Sequence, residues 1–259
     1  MVQPIFEIAI PLFCAHTIVD FILHPDDVVE RKGGFLNFLK HVLWIGILSY
    51  VFVGTIPAWQ MVLAVMAFHG VIDYLKIRSH RQDFKAFMID QCAHLTVMIL
   101  LSAFLASSRF YSESSIWNTH FGETVYSLQV FAIGALLSTY VGGIVVGIAV
   151  QPLLAQLEQK GNDSRGKSPD LSEIHARGLK DAGKIIGYLE RSLIYLFVIV
   201  NQPSSIGFLI AAKSIFRFGE IKERSNRMEA EYIIIGTLLS FLFGLMVSFA
   251  VKAILQLLS

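Results

Sequence analysis

The chain has little charge, little cysteine and no strong excess of either sign. Only 16% of its 259 residues are Asp, Glu, Lys or Arg, and the formal net charge is +1. The net charge by itself says nothing about nucleic acid, and where the charges lie says more; no nucleic-acid partner is expected. Two cysteines occur, Cys14 and Cys92, both inside apolar stretches. They exclude a disulfide framework and read as reduced packing residues. The first ten residues lack the basic region of a secretory signal, and cleavage after a signal made of the first apolar stretch would discard His16 and Asp20. The first apolar stretch therefore reads as a retained membrane span.

What is abundant is apolar surface. Apolar residues make up 54% of the chain and the mean hydropathy is +0.61, too apolar for an ordinary soluble domain. Eight hydrophobic segments can be drawn, at roughly 3–24, 35–55, 58–77, 86–106, 124–153, 183–200, 203–217 and 229–257. The expected fold is an all-α, polytopic transmembrane helical bundle with about eight spans in a four-plus-four arrangement. Three parts follow. Residues 1–106 form a four-helix membrane half, 107–155 a connecting loop and a Gly-rich fifth span, and 156–259 a cytoplasmic loop and a C-terminal membrane half. Pro11 and Pro152 are candidate kinks. Segments six and seven are the least regular, being short and carrying Glu190, Arg191, Lys213 and Arg217.

Basic residues set the orientation. With regular alternation, Arg31, Lys32, Lys76, Arg78, Arg81, Lys85, Lys160, Arg165, Lys167, Arg177, Lys180, Lys184, Lys222, Arg224 and Arg227 fall to one side. Arg109 and Lys252 fall to the other. The basic side is expected to be cytoplasmic, with both termini outside and the chain in a bacterial inner membrane.

Against this apolar background, His and Asp recur at four-residue spacing. The pairs are His16 with Asp20, His69 with Asp73, and Asp90 with His94, and His41 stands in the segment between the first two. Residues at i and i+4 share a helix face, about 40° apart around the axis. An ionisable group inside a span is costly and needs a partner or a task. The pairs fall near the end of inward-going spans and near the start of outward-going ones. All seven residues are thereby placed at one level, in the cytoplasmic half of the membrane.

That donor set suits a divalent metal, zinc first and iron or manganese next, as one ion with orienting partners or as two ions bridged by carboxylate. The expected ligands are His16, Asp20, His41, His69, Asp73, Asp90 and His94. His24 extends the His16–Asp20 stripe as an optional ligand, and Gln91 is a candidate orienting amide. Asp73 and Asp90 are candidate bases. Lys76, three residues after Asp73, is expected either to hold an anionic substrate group or to reach the headgroups. An interhelical polar network and a proton or ion pathway are the competing readings.

The second half repeats none of these pairs. It carries Arg191, Lys213 and Arg217, read as holding a phosphate or carboxylate beside the metal. Glu190 and Glu231 read as partners in charge pairs between helices. Gly143-x-x-x-Gly147 and Gly183-x-x-x-Gly187 read as small-residue packing faces. Residues about 156–170 form a polar loop, and Ser168-Pro169-Asp170 reads as a helix start.

The chain resembles a family of bacterial multi-pass membrane proteins catalogued as domain of unknown function thirty-three-oh-seven. In the first half the resemblance rests on His16-Thr-Ile-Val-Asp20-Phe21, His41, His69-Gly-Val-Ile-Asp73-Tyr-Leu-Lys76 and Asp90-Gln91-Cys-Ala-His94. In the second half it rests on Gly187-Tyr-Leu-Glu190-Arg191, on the run from Ile206 through Lys213 to Arg217, and on the run from Ala230 and Glu231 to Ser240. Members tend to carry Leu-Gln where this chain has Leu23-His24, which leaves His24 optional. The resemblance implies an intact two-part membrane protein and supplies no activity. From the residues, the leading expectation is metal-dependent hydrolysis of a lipid-linked or amphipathic, phosphate-bearing substrate. The alternatives are an ion- or proton-coupled transporter and a non-catalytic subunit of a membrane complex.

Overall fold

Long apolar runs broken by short polar turns give helices throughout. The computed structural model describes residues 2–23, 34–55, 59–81, 83–107, 115–163, 182–223 and 227–259. Those residues form α1 (Val2–Ile18) continued by a π-helical turn (Val19–Leu23), α2 (Gly34–Val53), α3 (Trp59–Ser79) and α4 (Phe84–Ser107). They continue as the short α5 (Ile116–Phe121), α6 (Thr124–Leu136), a second π-helical turn (Leu137–Val141), α7 (Gly142–Asp163), α8 (Ala182–Ile199), α9 (Ser204–Glu223) and α10 (Arg227–Leu258). Among the described residues there is no strand, and the all-α expectation holds. Both Pro11 and Pro152 lie within helices that continue past them.

Among the described residues, six stretches are long and apolar enough to cross a membrane: Ile5–Leu23, Gly34–Val53, Trp59–Ser79, Phe84–Ser107, Thr124–Leu157 and Ala230–Leu258. The sixth and seventh apolar segments fold as α8 and α9. Within α9 the apolar part is the shorter Ser204–Ile215. His24, Arg31, Lys32, Ser168-Pro169-Asp170 and the basic residues from Arg165 to Lys180 lie outside the described residues, as do the side chains of Lys160, Arg217, Lys222, Arg224, Arg227 and Glu229.

The chain divides into two compact units, one of Met1–Ile133 with Ile254–Ser259 and one of Gly134–Ala253. In the first, α1 packs against α2 and α4, and α3 packs against the same two. The short connections α2–α3 and α3–α4 make neighbours antiparallel. This four-helix ring is layered. Ile8, Leu12 and Ala15 of α1 meet Ile45 and Val53 of α2, Met61 and Val65 of α3, and Met98 of α4 in one apolar cluster. The His and Asp residues occupy the next layer along the same four helices. Outward faces carry Trp44, Ile47, Leu63, Phe68, Ile99, Leu100 and Phe104, all exposed. Polar groups inside and large apolar groups outside invert the soluble pattern and fit a lipid surround.

The far end of α2 is closed by local chemistry. Gly54 ends the helix at φ 63°, the left-handed cap that glycine adopts without a Cβ penalty. Ser115 donates to the Val53 carbonyl at 2.6 Å, Trp117 Nε1 to the Val51 carbonyl at 2.7 Å, and the Ile116 amide to the Gly54 carbonyl at 2.8 Å. Helix α5 thereby satisfies carbonyls that α2 leaves open.

In the second unit, α8 packs on α7, on α9 and on the π turn Leu137–Val141. Ile194, Val198, Ile206 and Phe241 form its buried apolar cluster. The turn between α8 and α9 uses Asn201 at φ 61°, with the Gln202 amide bonded to the Phe197 carbonyl at 2.7 Å, a left-handed helix stop that Asn tolerates.

Candidate metal centre

The four helices of the ring deliver their polar residues to one point. His16 comes from the last turn of α1, Asp20 from the π turn, His41 from α2, His69 and Asp73 from α3, and Asp90 and His94 from α4. All seven sequence-selected residues are brought together. His16, His41, His69, Asp90 and His94 are each under a tenth exposed, and the Asp20 and Asp73 side chains are 12% and 13% exposed.

At the centre, His41 Nε2 lies 2.9 Å from His69 Nε2. Asp73 Oδ2 lies 3.0 Å from the first and 3.1 Å from the second, and Asp20 Oδ1 lies 3.5 Å from each. Four ligand atoms held tetrahedrally at about 2.0–2.1 Å from one zinc ion stand about 3.3–3.4 Å apart. The observed separations bracket that edge length. The two imidazole nitrogens admit one hydrogen between them, since two N–H groups at 2.9 Å would point at each other. One proton does not satisfy two nitrogens and two carboxylates.

Around this cage the tautomers are fixed by what the other ring nitrogens meet. His94 Nδ1 lies 3.0 Å from the Asp90 main-chain carbonyl. A carbonyl only accepts, so Nδ1 carries the hydrogen and Nε2 of the neutral ring presents a lone pair. That lone pair faces Asp73 Oδ1 at 3.5 Å. His16 Nε2 lies 3.4 Å from Gln91 Oε1 and donates to it. His16 Nδ1 then presents its lone pair toward Asp20 Oδ1 at 3.6 Å. Gln91 in turn donates to Asp90 Oδ2 at 3.0 Å, where Lys76 Nζ also sits at 3.1 Å. Lys76 is thus an ion-pair partner of Asp90 in this structure.

The result is an excess of acceptors. His16 Nδ1, Asp20 Oδ1, Asp90 Oδ1 and His94 Nε2 are buried without a hydrogen-bond partner. Buried polar atoms are ordinarily bonded, and each exception raises the free energy of the fold. Three carboxylates against the one ammonium of Lys76 leave two negative charges when the imidazoles are neutral. A single divalent cation cancels both. Three overlapping triads have ligand atoms close enough to share an ion: His16 with His69 and His94, Asp20 with His41 and His69, and Asp73 with Asp90 and His94. The cysteines stay apart from this set. Cys14 is buried with Sγ 3.9 Å from the Gln129 carbonyl, and Cys92 is exposed.

Residues 8–121 match the family model described as protein of unknown function, DUF3307. The DUF3307 match spans the body of α1 through α5 and so takes in every residue of the cluster. It stops before the second-half pieces that resemble the same family. No curated protein and no solved structure matches the chain.

The second-unit residues selected from sequence meet different fates. Lys213 Nζ pairs with Glu190 Oε2, the interhelical pairing expected of that glutamate. Arg191 is 3% exposed. Its Nε and Nη2 donate to the Thr139 carbonyl at 3.2 and 2.9 Å, and Nη1 donates to Ser240 Oγ at 2.6 Å. Of the four glycines read as packing faces, an added Cβ at Gly147 or Gly183 meets nothing. At Gly143 it meets Tyr188 and Arg191, and at Gly187 the three nearest atoms all belong to Arg191. Two of the four serve the guanidinium. Sequence reading missed both π turns, the Asp90 carbonyl that orients His94, and Thr139 and Ser240; only the two hydroxyl residues leave any trace in composition.

Proposed function

We propose that the four-helix unit binds divalent metal, zinc before iron or manganese. We further propose that the protein is a membrane hydrolase acting on a lipid-linked or amphipathic phosphate ester. The carrying observation is the convergence of His41 Nε2, His69 Nε2, Asp20 Oδ1 and Asp73 Oδ2 at 2.9–3.5 Å. Those four atoms form the first ion's cage. Asp73 turns its other oxygen to His94 Nε2 at 3.5 Å, so Asp73, Asp90 and His94 are the residues that would hold a further ion. When bound, such a metal would supply Lewis acidity toward water and a phosphoryl oxygen.

The chain's own residues supply the rest. Asp90, held by Gln91 and Lys76, is the carboxylate placed to accept a proton from attacking water. Lys76, with its side chain 29% exposed, reaches outward from the cluster, where an anionic group would enter. The apolar outer faces of α2, α3 and α4 support a bilayer setting. The basic residues near the ends of α3 and α4 support a cytoplasm-facing site in a bacterial inner membrane.

The test is paired metal analysis and turnover of wild type and His69→Ala on a panel of alkyl phosphate esters. Stoichiometric metal and phosphate release in wild type, both lost in the variant, is the expected result. Metal absent from wild type removes the proposal. Uptake of a cation into vesicles without phosphate release would keep the metal site and replace hydrolysis with transport.

A further inference from the structure

The second unit contains a cleft of about 430 Å³ between α7, α8, α9 and α10, lined in part by Gly143, Gly187, Glu190, Arg191 and Lys213. That volume lies within the range of small-ligand sites. Its charged lining is three cations, Lys184, Arg191 and Lys213, against one anion, Glu190. Glu190 is taken by Lys213, and among the described residues no carboxylate is bonded to Arg191. A buried guanidinium with no directly bonded carboxylate is a costly arrangement, eased here by the Tyr188 ring, whose centroid lies 5.7 Å from Arg191 Cζ.

The hydrogen-bond inventory of Arg191 shows which of its donors the chain itself uses. A guanidinium has five N–H donors. Nε and one N–H of Nη2 go to the Thr139 carbonyl, and one N–H of Nη1 goes to Ser240. One donor on each terminal nitrogen remains. Two such donors side by side make the fork that carboxylates and phosphates accept in bidentate fashion. The side chain folds back along α8 toward the helix N-terminus, as helical side chains do, and lies over Gly187, one turn earlier. A methyl at Gly187 would stand 3.1 Å from Nη1 and 3.6 Å from Nη2, and one at Gly143 would stand 3.2 Å from Nη2. The two glycines leave the terminal nitrogens accessible from the cleft. Above the charged groups the walls are aliphatic, with Val146, Val150, Ile186 and Ile233.

We propose that this cleft binds an oxyanion head group, phosphate or carboxylate, of an amphiphile, with Arg191 as its anchor and Gly143 and Gly187 as the opening to it. Lys213 contributes through its pair with Glu190 and is not the primary contact. The inference is independent of the metal centre, and its test uses no metal.

The experiment titrates the full chain, in neutral detergent with chelator, with dodecyl phosphate and separately with inorganic phosphate, by calorimetry. Wild type and Gly187→Ala are compared, with Arg191→Lys as a second variant that keeps the charge and loses the fork. Dodecyl phosphate is expected to bind wild type and to bind Gly187→Ala about tenfold more weakly. The ligand-free melting temperature of Gly187→Ala is expected to be no lower than wild type, since alanine favours the helix. Arg191→Lys, if it folds, is expected to lose binding further. Binding of inorganic phosphate as tight as that of dodecyl phosphate upholds the oxyanion site and makes the free anion its ligand; much weaker binding assigns the amphiphile. Failure of wild type to bind either probe, or equal affinity in Gly187→Ala, overturns the proposal.

Discussion

The two units solve opposite electrostatic problems. The first collects lone pairs: four imidazoles and three carboxylates on four helices, with buried acceptor atoms that face one another. The second collects donors: a buried guanidinium and an ammonium against one carboxylate. In each, a π turn lies at the polar centre, placing Asp20 in the first and the Thr139 carbonyl in the second. Such turns shift backbone hydrogen bonding by one residue and recur at functional sites. The contrast teaches that burial of polar groups in an apolar bundle leaves a signature of what is missing. Surplus acceptors ask for a cation, and surplus donors ask for an anion.

The sharpest way to break this contrast is to remove one ligand from each centre. His69→Ala is expected to lower metal affinity by on the order of a thousandfold or more, while Arg191→Met leaves metal content unchanged; elemental analysis of both variants reads this. Arg191→Met strands the Thr139 carbonyl and Ser240 but also removes a buried charge with no bonded carboxylate, so the net loss of stability is expected to be about 1 kcal/mol. The shift of the unfolding midpoint measures that loss.

The contrast also predicts effects of opposite sign. In metal-free protein, Asp73→Asn is expected to match or exceed wild-type stability, by about 1 kcal/mol, because an amide supplies donors to a set overcrowded with acceptors. A comparable loss in the metal-free state would mean that the first centre is already satisfied by protons. In the second unit, Glu190→Gln alone is expected to cost about 2 kcal/mol, and the double change with Lys213→Met less than that, since removing one member of a buried ion pair costs more than removing both. A double-mutant cycle by thermal unfolding checks it. The smallest effect expected is for Gln91→Leu, which frees His16 and Asp90 from their shared amide. It should weaken metal binding about tenfold with no change of fold by circular dichroism.

Much of the fold was legible because length and apolarity are carried by the sequence itself. The runs around residues 35–55 and 86–106 became α2 and α4 with boundaries shifted by a residue or two. The first centre was legible because i, i+4 spacing on alternating spans fixes both face and depth, and the antiparallel ring then makes the levels coincide. The π turn at Val19–Leu23 was not legible, because its register change has no compositional mark. Helix α5 escaped notice because six residues capped by Ser115 bear no apolar period. The state of Arg191 could not be read either. Burial against a main-chain carbonyl and reach to the headgroups look alike in sequence, and only packing on the Thr139 turn separates them.

X-ray absorption on purified wild-type protein, joined to elemental analysis, tests the first centre most directly. The account predicts at least one divalent ion per chain in a nitrogen and oxygen shell at about 2.0–2.1 Å with imidazole scattering and no sulfur. A wild-type chain that takes up no stoichiometric metal, or an ion with sulfur at about 2.3 Å, would contradict it.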